Sequence, residues 1–288
     1  MALTIITDPR CTGYEAPGHP ERPARISRTV DLLKTQDKLA LSWSQPPEAG
    51  ETAIVRAHTK AHLEQLEKPF DFDGDTPAYP HIAGHARRSA GGALQALAEA
   101  KAGRTAFSLL RPPGHHSTQN RAMGFCYLNS IAIAALEARA AGCQRVAVFD
   151  FDVHHGNGTE EILLDQPGLA FISIHQHPAY PGTGRKNRGG NCFNFPVAPA
   201  TPRQQYRSVL SQALEELKNF RPDMIGVSAG FDAYRGDPLA QETLEEEDFH
   251  WLGKMIREMQ IPAFSVLEGG YSDELPNLIL AYLQGLAG

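Results

Sequence analysis

The sequence predicts an α/β protein built on a single open, mostly parallel β-sheet flanked by helices. Three observations carry that expectation. Short apolar runs rich in β-branched and aromatic residues alternate with amphipathic segments along most of the 288 residues, the pattern of βαβ units. No linker, internal repeat or low-complexity tract interrupts them, so residues 1–288 are expected to form one domain. Polar and ionisable clusters follow the apolar runs at their carboxyl ends, where open parallel sheets bind ligands.

Taken in order, Leu3 to Thr7 reads as a strand, followed by the Gly- and Pro-rich loop CTGYEAPGHPERPAR and a helix from Ile26 to Leu39. That loop carries Tyr14, Glu15, His19, Glu21 and Arg22, and the reading favoured for it is a solvated turn. Ala53 to Leu66 reads as strand, turn and short helix, with His58 and His62 as surface or capping residues. The acidic, turn-rich FDFDGDTPAYP comes before a helix from His81 to Ala102, which Gly103 stops. Strands are then expected at Ala106–Leu110, Val146–Phe151, Ala170–Ile174, Met224–Ser228 and Ala263–Leu267. Helices are expected at Asn129–Ala141, near Glu160, and at Pro202–Leu217, Leu244–Met259 and Leu275–Leu286.

Composition excludes several classes. A hydrophobic content of 42% with 21% charged residues fits a globular protein with a large core. No apolar run approaches the roughly 20 residues of a membrane helix, and the opening MALTIITDPR lacks the pattern of a signal peptide, so a cytoplasmic protein is expected. The net charge of -6 lacks the basic signature of a nucleic-acid binder. Cys11, Cys126, Cys143 and Cys192 form no CxxC pair and are read as reduced thiols.

The chemistry concentrates after the strands. In VAVFDFDVHHGNG, Asp152 and His154 are separated by one residue, so in extended backbone both side chains leave on one face and can approach one ion. Carboxylate and imidazole both suit zinc, and carboxylate also suits manganese or magnesium, so the spacing leaves the metal open. Asp232, after Gly230 and Phe231, would complete a three-ligand set that leaves positions for water and substrate. His115 and His116 follow the rigid turn Pro112-Pro113-Gly114 as a candidate proton-shuttling pair. Tyr271, after Gly269-Gly270, could donate to a developing oxyanion. Phe125 and Tyr180 either line a channel or belong to the packing.

RPPGHH, GFCYLN, FDFDVHHGNGTEE, PGTG, SAGFDAYRGDP and LEGGYS, in this order through nearly the whole chain, resemble the zinc-dependent histone deacetylase family. The resemblance is to its class II-like and bacterial amidohydrolase branch. It implies the arginase-deacetylase fold and one catalytic Zn2+ held by Asp152, His154 and Asp232. It further implies His116 as general base and acid, His115 paired with Asp150 as electrostatic neighbour, and Tyr271 as oxyanion donor, with Gly270 beside it in the substrate site. Gly124 would accept the substrate amide N–H, Phe125 and Tyr180 would sandwich the acyl-lysine stem, and Asp75 would contact the substrate at the rim. A structural K+ would take Asp150, Ser173 and the carbonyls of Asp152, His154 and Ile174.

The implied reaction is hydrolysis of an N-acyl amine: an acylated lysine peptide or, as the alternative, an acetylpolyamine. Asn157, at the position where class I members carry an aspartate partner for the second histidine, assigns the class II-like branch and leaves His116 a neutral partner. Tyr180 departs from the usual phenylalanine of the channel wall. Leu239 after the GDP turn, where polyamine deacetylases can carry glutamate, leans toward acyl-lysine, although Asp71, Asp73 and Asp75 could attract cations. Two rival readings are a binuclear manganese ureohydrolase, which needs more bridging carboxylates than the Asn157 and Asp232 regions supply, and a non-catalytic binder of acyl-lysine.

Overall fold

A computed structural model describes residues 3–288. Its centre is an eight-stranded sheet of order β2-β1-β3-β8-β7-β4-β5-β6, and the strand pairs all run parallel. The strands are β1 (Leu3–Ile6), β2 (Leu41–Ser44), β3 (Ala106–Ser108), β4 (Val146–Asp150), β5 (Leu169–Gln176), β6 (Cys192–Val197), β7 (Met224–Ala229) and β8 (Ala263–Leu267). The helices are α1 (Ala24–Thr35), α2 (Glu51–Ile54), α3 (Lys60–Leu66), α4 (Ile82–Lys101), α5 (Ser130–Ala140), α6 (Asn157–Leu163), α7 (Arg203–Phe220), α8 (Glu246–Glu258) and α9 (Leu275–Ala287).

The central strands are apolar on both faces because helices cover both sides of a parallel sheet. All residues of β3, β4, β5 and β7 are buried. Helix boundaries follow local chemistry. Asn129 caps α5 by accepting from the Ala132 N–H, and Glu245 and Asp248 form a reciprocal capping box at the start of α8. Beyond α4, Gly103 takes φ +74, the left-handed conformation that glycine reaches without steric cost.

The expected alternation is present with local corrections. β2 and β6 are additional strands, and both lie at sheet edges. β2 (LSWS) is short and part-exposed, and β6 (CFNFPV) carries Pro196, so neither has the continuous apolar run that marks an inner strand. The strand expected from Ala53 is instead the short helix α2, and α1 ends at Thr35 rather than Leu39. His58 and His62 are buried rather than superficial, with rings stacked at 4.9 Å. Their Nε2 atoms meet the Asn129 N–H at 2.9 Å and the Tyr127 carbonyl at 2.8 Å. No helix among the described residues is long and apolar enough to cross a membrane.

The strand order explains where a site can form. β3, β8, β7 and β4 are consecutive neighbours in the sheet although separated along the chain. The loops leaving their carboxyl ends therefore share one crevice, as the switch-point rule for open sheets requires.

Candidate active site

Asp152 and His154 follow β4, and Asp232 follows β7. One ligand atom from each lies within 4.8 Å of the others. His154 Nδ1 is 3.2 Å from Asp152 Oδ1 and 3.0 Å from Asp232 Oδ2. Backbone N–H groups fix the carboxylates: Val153 donates to Asp232 Oδ1 at 2.8 Å and Gly269 to Asp152 Oδ2 at 2.7 Å. A Cβ on Gly269 would fall 2.2 Å from Asp232 Oδ2, so no larger residue fits against these ligands without displacing them.

The donor set fits a divalent cation. Asp150, Asp152, Asp232 and Glu268 are all buried around this point, an accumulation of negative charge that needs a positive centre. Titration in the protein alone reflects that need. Burial opposes a charged His154, yet hydrogen bonds and charge from Asp152 and Asp232 raise its pKa well above the ordinary histidine value. Burial and then the Asp152 charge push Asp232 up to about 7. A metal ion held by the same atoms would relieve both effects, and carboxylate oxygen and imidazole nitrogen are both zinc donors.

His115 and His116 follow β3 on the turn that begins at Pro112. Their rings lie 4.0 Å apart but have different partners. His115 Nδ1 is 3.1 Å from Asp150 Oδ2. Burial disfavours its charged form, but Asp152 and Asp150 outweigh that and hold its pKa at about 10. His116 Nδ1 is 2.8 Å from Asn157 Oδ1 on α6. Burial, followed by His115 and His154, holds its pKa well below the usual value, which keeps the imidazole neutral. Because Asn157 Oδ1 can only accept, Nδ1 carries the hydrogen and Nε2 is left as the basic atom.

A cavity of 360 Å³ opens over these groups, lined by His116, His154 and Tyr271 at its floor and by Gly124, Phe125 and Tyr180 on its walls. His19, Pro20, Asp75 and Leu239 also line it. Phe125 packs edge-on to Tyr271 at 5.7 Å, and Tyr180 edge-on to His116 at 5.1 Å. Gly124 has φ +56, and a Cβ there would come within 2.7 Å of His116 and 2.8 Å of Tyr180, so glycine is required. Phe125 also adopts a positive φ of 69 and is tied down by its N–H to Thr76 Oγ1 at 3.1 Å. Burial pushes the Tyr271 phenol well above its ordinary pKa and keeps it a hydrogen donor. Asp237 Oδ2 fixes its backbone by accepting from the Tyr271 N–H at 2.7 Å.

The structure thus brings together Asp152, His154, Asp232, His115, His116, Asp150, Asn157, Gly124, Phe125, Tyr180 and Tyr271 at one crevice, with Asp75 also in its lining, whereas Gly270 is buried outside the cavity lining and its carbonyl accepts from Arg25. Asp150 and Ser173 are direct partners in the β4–β5 register, and Ser173 Oγ is 2.8 Å from His175 Nδ1. His155 turns instead to Thr183 Oγ1 at 2.7 Å and Glu160 at 3.3 Å, apart from the candidate metal ligands.

A second, buried layer escaped the sequence reading. The loop taken for a solvated turn holds Glu21, which pairs with the buried Arg111 through Nη2 to Oε2 at 2.8 Å and with Arg25 at 3.2 Å. Arg25 in turn donates to the carbonyls of Gly270, at 2.7 Å, and Glu268, and lies over the Tyr271 ring at 4.8 Å. The available signals were Arg111 directly after the apolar β3 run and Glu268 directly after AFSVL, positions where a charged residue is buried only if partnered.

Comparison with known proteins agrees with this geometry. The histone deacetylase domain family matches residues 19–286. This chain belongs to that family. It is 40% identical to a probable deacetylase of Methanothermobacter thermautotrophicus, over 99% of this chain and 91% of that protein. It is 36% identical to the histone deacetylase-like amidohydrolase of Pseudomonas aeruginosa, over 100% of this chain and 82% of that one. The crystal structure of an acetylpolyamine aminohydrolase from Burkholderia pseudomallei superposes with a TM-score of 0.93 at 29% identity, covering 100% of this chain and 99% of that one. The family membership and this likeness establish the arginase-deacetylase fold expected from the motifs.

Proposed function

We propose that the chain is a zinc-dependent hydrolase that removes acyl groups, above all acetyl, from N-acylated amines, with acyl-lysine side chains as the preferred substrates. We read residues 1–288 as one catalytic domain of the class II-like branch. The observation that carries the reading is convergence: the candidate metal ligand His154, the neutral base His116 and the protonated Tyr271 face the same narrow cavity.

Asp152, His154 and Asp232 would hold the zinc. When bound, the ion supplies Lewis acidity toward the acyl carbonyl and makes water a stronger nucleophile near neutral pH. The protein's own groups account for the rest. Phe125 and Tyr180 hold the apolar stem of the substrate between their rings, and the Gly124 carbonyl accepts the amide N–H. His116 Nε2 takes the proton of the attacking water while Asn157 holds Nδ1, and the Tyr271 hydroxyl donates to the oxyanion that develops. His116 then returns its proton to the amine as the C–N bond breaks, yielding a free amine and a carboxylate. His115, paired with Asp150, shapes the field around His116. Asp150, Ser173 and the carbonyls of Asp152, His154 and Ile174 are proposed to hold a structural K+. Burial of so many acidic groups next to the zinc ligands supports a second cation there.

Apolar Leu239 at the cavity lining favours acyl-lysine. The alternative, acetylpolyamine hydrolysis, draws on Asp75 at the same mouth and on the likeness to the Burkholderia enzyme. A zinc-loaded activity panel of acetyl-, longer acyl- and trifluoroacetyl-lysine together with acetylpolyamines tests the choice. The reading expects kcat/KM for acetyl-lysine peptides to exceed that for acetylpolyamines by about tenfold, the effect of roughly 1.4 kcal/mol at the transition state. A preference in the other direction would replace it with the polyamine reading.

A further inference from the structure

We propose that Glu268 is a positioning residue for the histidine pair: its carboxylate clamps the turn that carries His115 and His116, and the clamp acts through hydrogen-bond acceptance at a fixed reach rather than through charge. The proposal rests on the reading of His116 as the proton-transferring group.

Glu268 is the first residue after β8 and is fully buried. Its Oε2 accepts two successive backbone N–H groups, from Gly114 at 2.6 Å and from His115 at 3.1 Å. Its Oε1 accepts from Ser228 Oγ at 3.3 Å. Among the described residues no arginine or lysine side chain pairs with the carboxylate; Arg25 donates to the Glu268 carbonyl instead. Burial of the carboxylate is costly and pushes its pKa up to about 7, with the charge of the neighbouring His115 offsetting only part.

The cost is placed where three strand ends meet. β8 lies between β3 and β7, so one side chain at its end links the β3 turn to Ser228, which is itself in register with Asp150 of β4. The His115 and His116 rings can serve different partners only if the backbone from Gly114 to His116 is held still. A Cβ on Gly114 would be 2.8 Å from the Leu128 carbonyl, so packing confines the turn from one side and Glu268 from the other.

Two variants separate reach from charge. Glu268→Gln keeps the length and one acceptor oxygen for the two N–H groups, and its amide can donate to Ser228 Oγ. Glu268→Asp keeps the charge but is one methylene too short. The clamp predicts that Glu268→Asp loses about tenfold to a hundredfold in kcat with KM within about twofold of the parent, as expected for a misplacement of about 1 Å at a reacting group. It predicts that Glu268→Gln stays within about threefold. Hydrogen exchange at the Gly114 and His115 amides, measured by NMR on zinc-loaded protein, should be slow in the parent and in Glu268→Gln and faster in Glu268→Asp.

The reverse order of activities, equal losses in both variants, or a loss confined to KM would overturn the proposal. So would unchanged amide exchange in Glu268→Asp. If the parent hydrolyses none of the acyl amines, the functional reading fails, and the exchange measurement still decides whether Glu268 clamps the turn.

Discussion

His154 Nδ1 lies 3.0 Å from Asp232 Oδ2 across a separation of 78 residues. The contact exists because β4 and β7 are paired, with Asp150 opposite Ser228, so both loops leave the sheet side by side. Asp152 and His154 alone would be two thirds of the proposed metal site, and Asp232 would complete it.

Replacing that third group should therefore show first in metal affinity. Asp232→Asn keeps the shape but exchanges an anionic ligand for a neutral one. Zinc affinity in a chelator competition should fall by at least about a hundredfold, the upper range for removing even an outer-shell partner. Parent-like affinity would remove Asp232 from the ligand set.

Tyr271 sits at the cavity floor with its phenol kept protonated by burial. Tyr271→Phe removes one hydroxyl and leaves the ring to pack against Phe125 and beneath Arg25. The expected outcome is a kcat lower by about 10²- to 10³-fold with zinc content unchanged. A variant with parent-like kcat would deny Tyr271 the oxyanion role.

Glu21 matters for stability. It is the shared anion of Arg25 and Arg111, and all three are buried. Arginine does not give up its proton when stranded. Glu21→Ala should cost about 3–5 kcal/mol, a fall in Tm of roughly 10 °C at about 2–4 °C per kcal/mol. A shift of less than about 2 °C would mean that the triad is not a net contributor.

A pH-dependent penalty is expected at Glu242, which is buried with neither carboxylate oxygen in a hydrogen bond of ordinary length. Burial pushes its pKa up to about 7, with the Thr201 backbone offsetting only part. A carboxyl whose pKa is raised by folding binds its proton more tightly folded than unfolded. Its contribution to stability is thus lost as pH rises from the ordinary 4.5 to about 7, and the full penalty persists above that. Glu242→Gln should match the parent Tm near pH 4 and exceed it by several degrees near pH 8. A gap that is constant or shrinks with pH would contradict this.

The inner strands and the candidate ligand pair were legible in the sequence because both obey local rules. VAVFD is an apolar run that leads directly into the candidate ligands, and the one-residue spacing of Asp152 and His154 can be read without a fold. The edge strands β2 and β6 were not legible, since partial exposure and Pro196 remove the apolar signature. The buried layer was hidden for another reason. Glu21, Arg111 and Glu268 are polar letters in a loop or at strand ends and Arg25 lies in the first turn of α1, and it is the three-dimensional pairing of residues 90 or more apart, as in Arg111 with Glu21 or Arg25 with Gly270, that shows them to be interior. His58 and His62 were misread on the same ground, because their partners Asn129 and Tyr127 lie in a distant loop.

The most direct test of the central claim is a titration of metal-free protein with zinc while acetate release from an acetyl-lysine peptide is followed. Activity should rise in proportion to added zinc, with a breakpoint at one ion per chain set by Asp152, His154 and Asp232. Tight zinc binding without acetate release, or activity that requires two manganese ions per chain, would contradict the account.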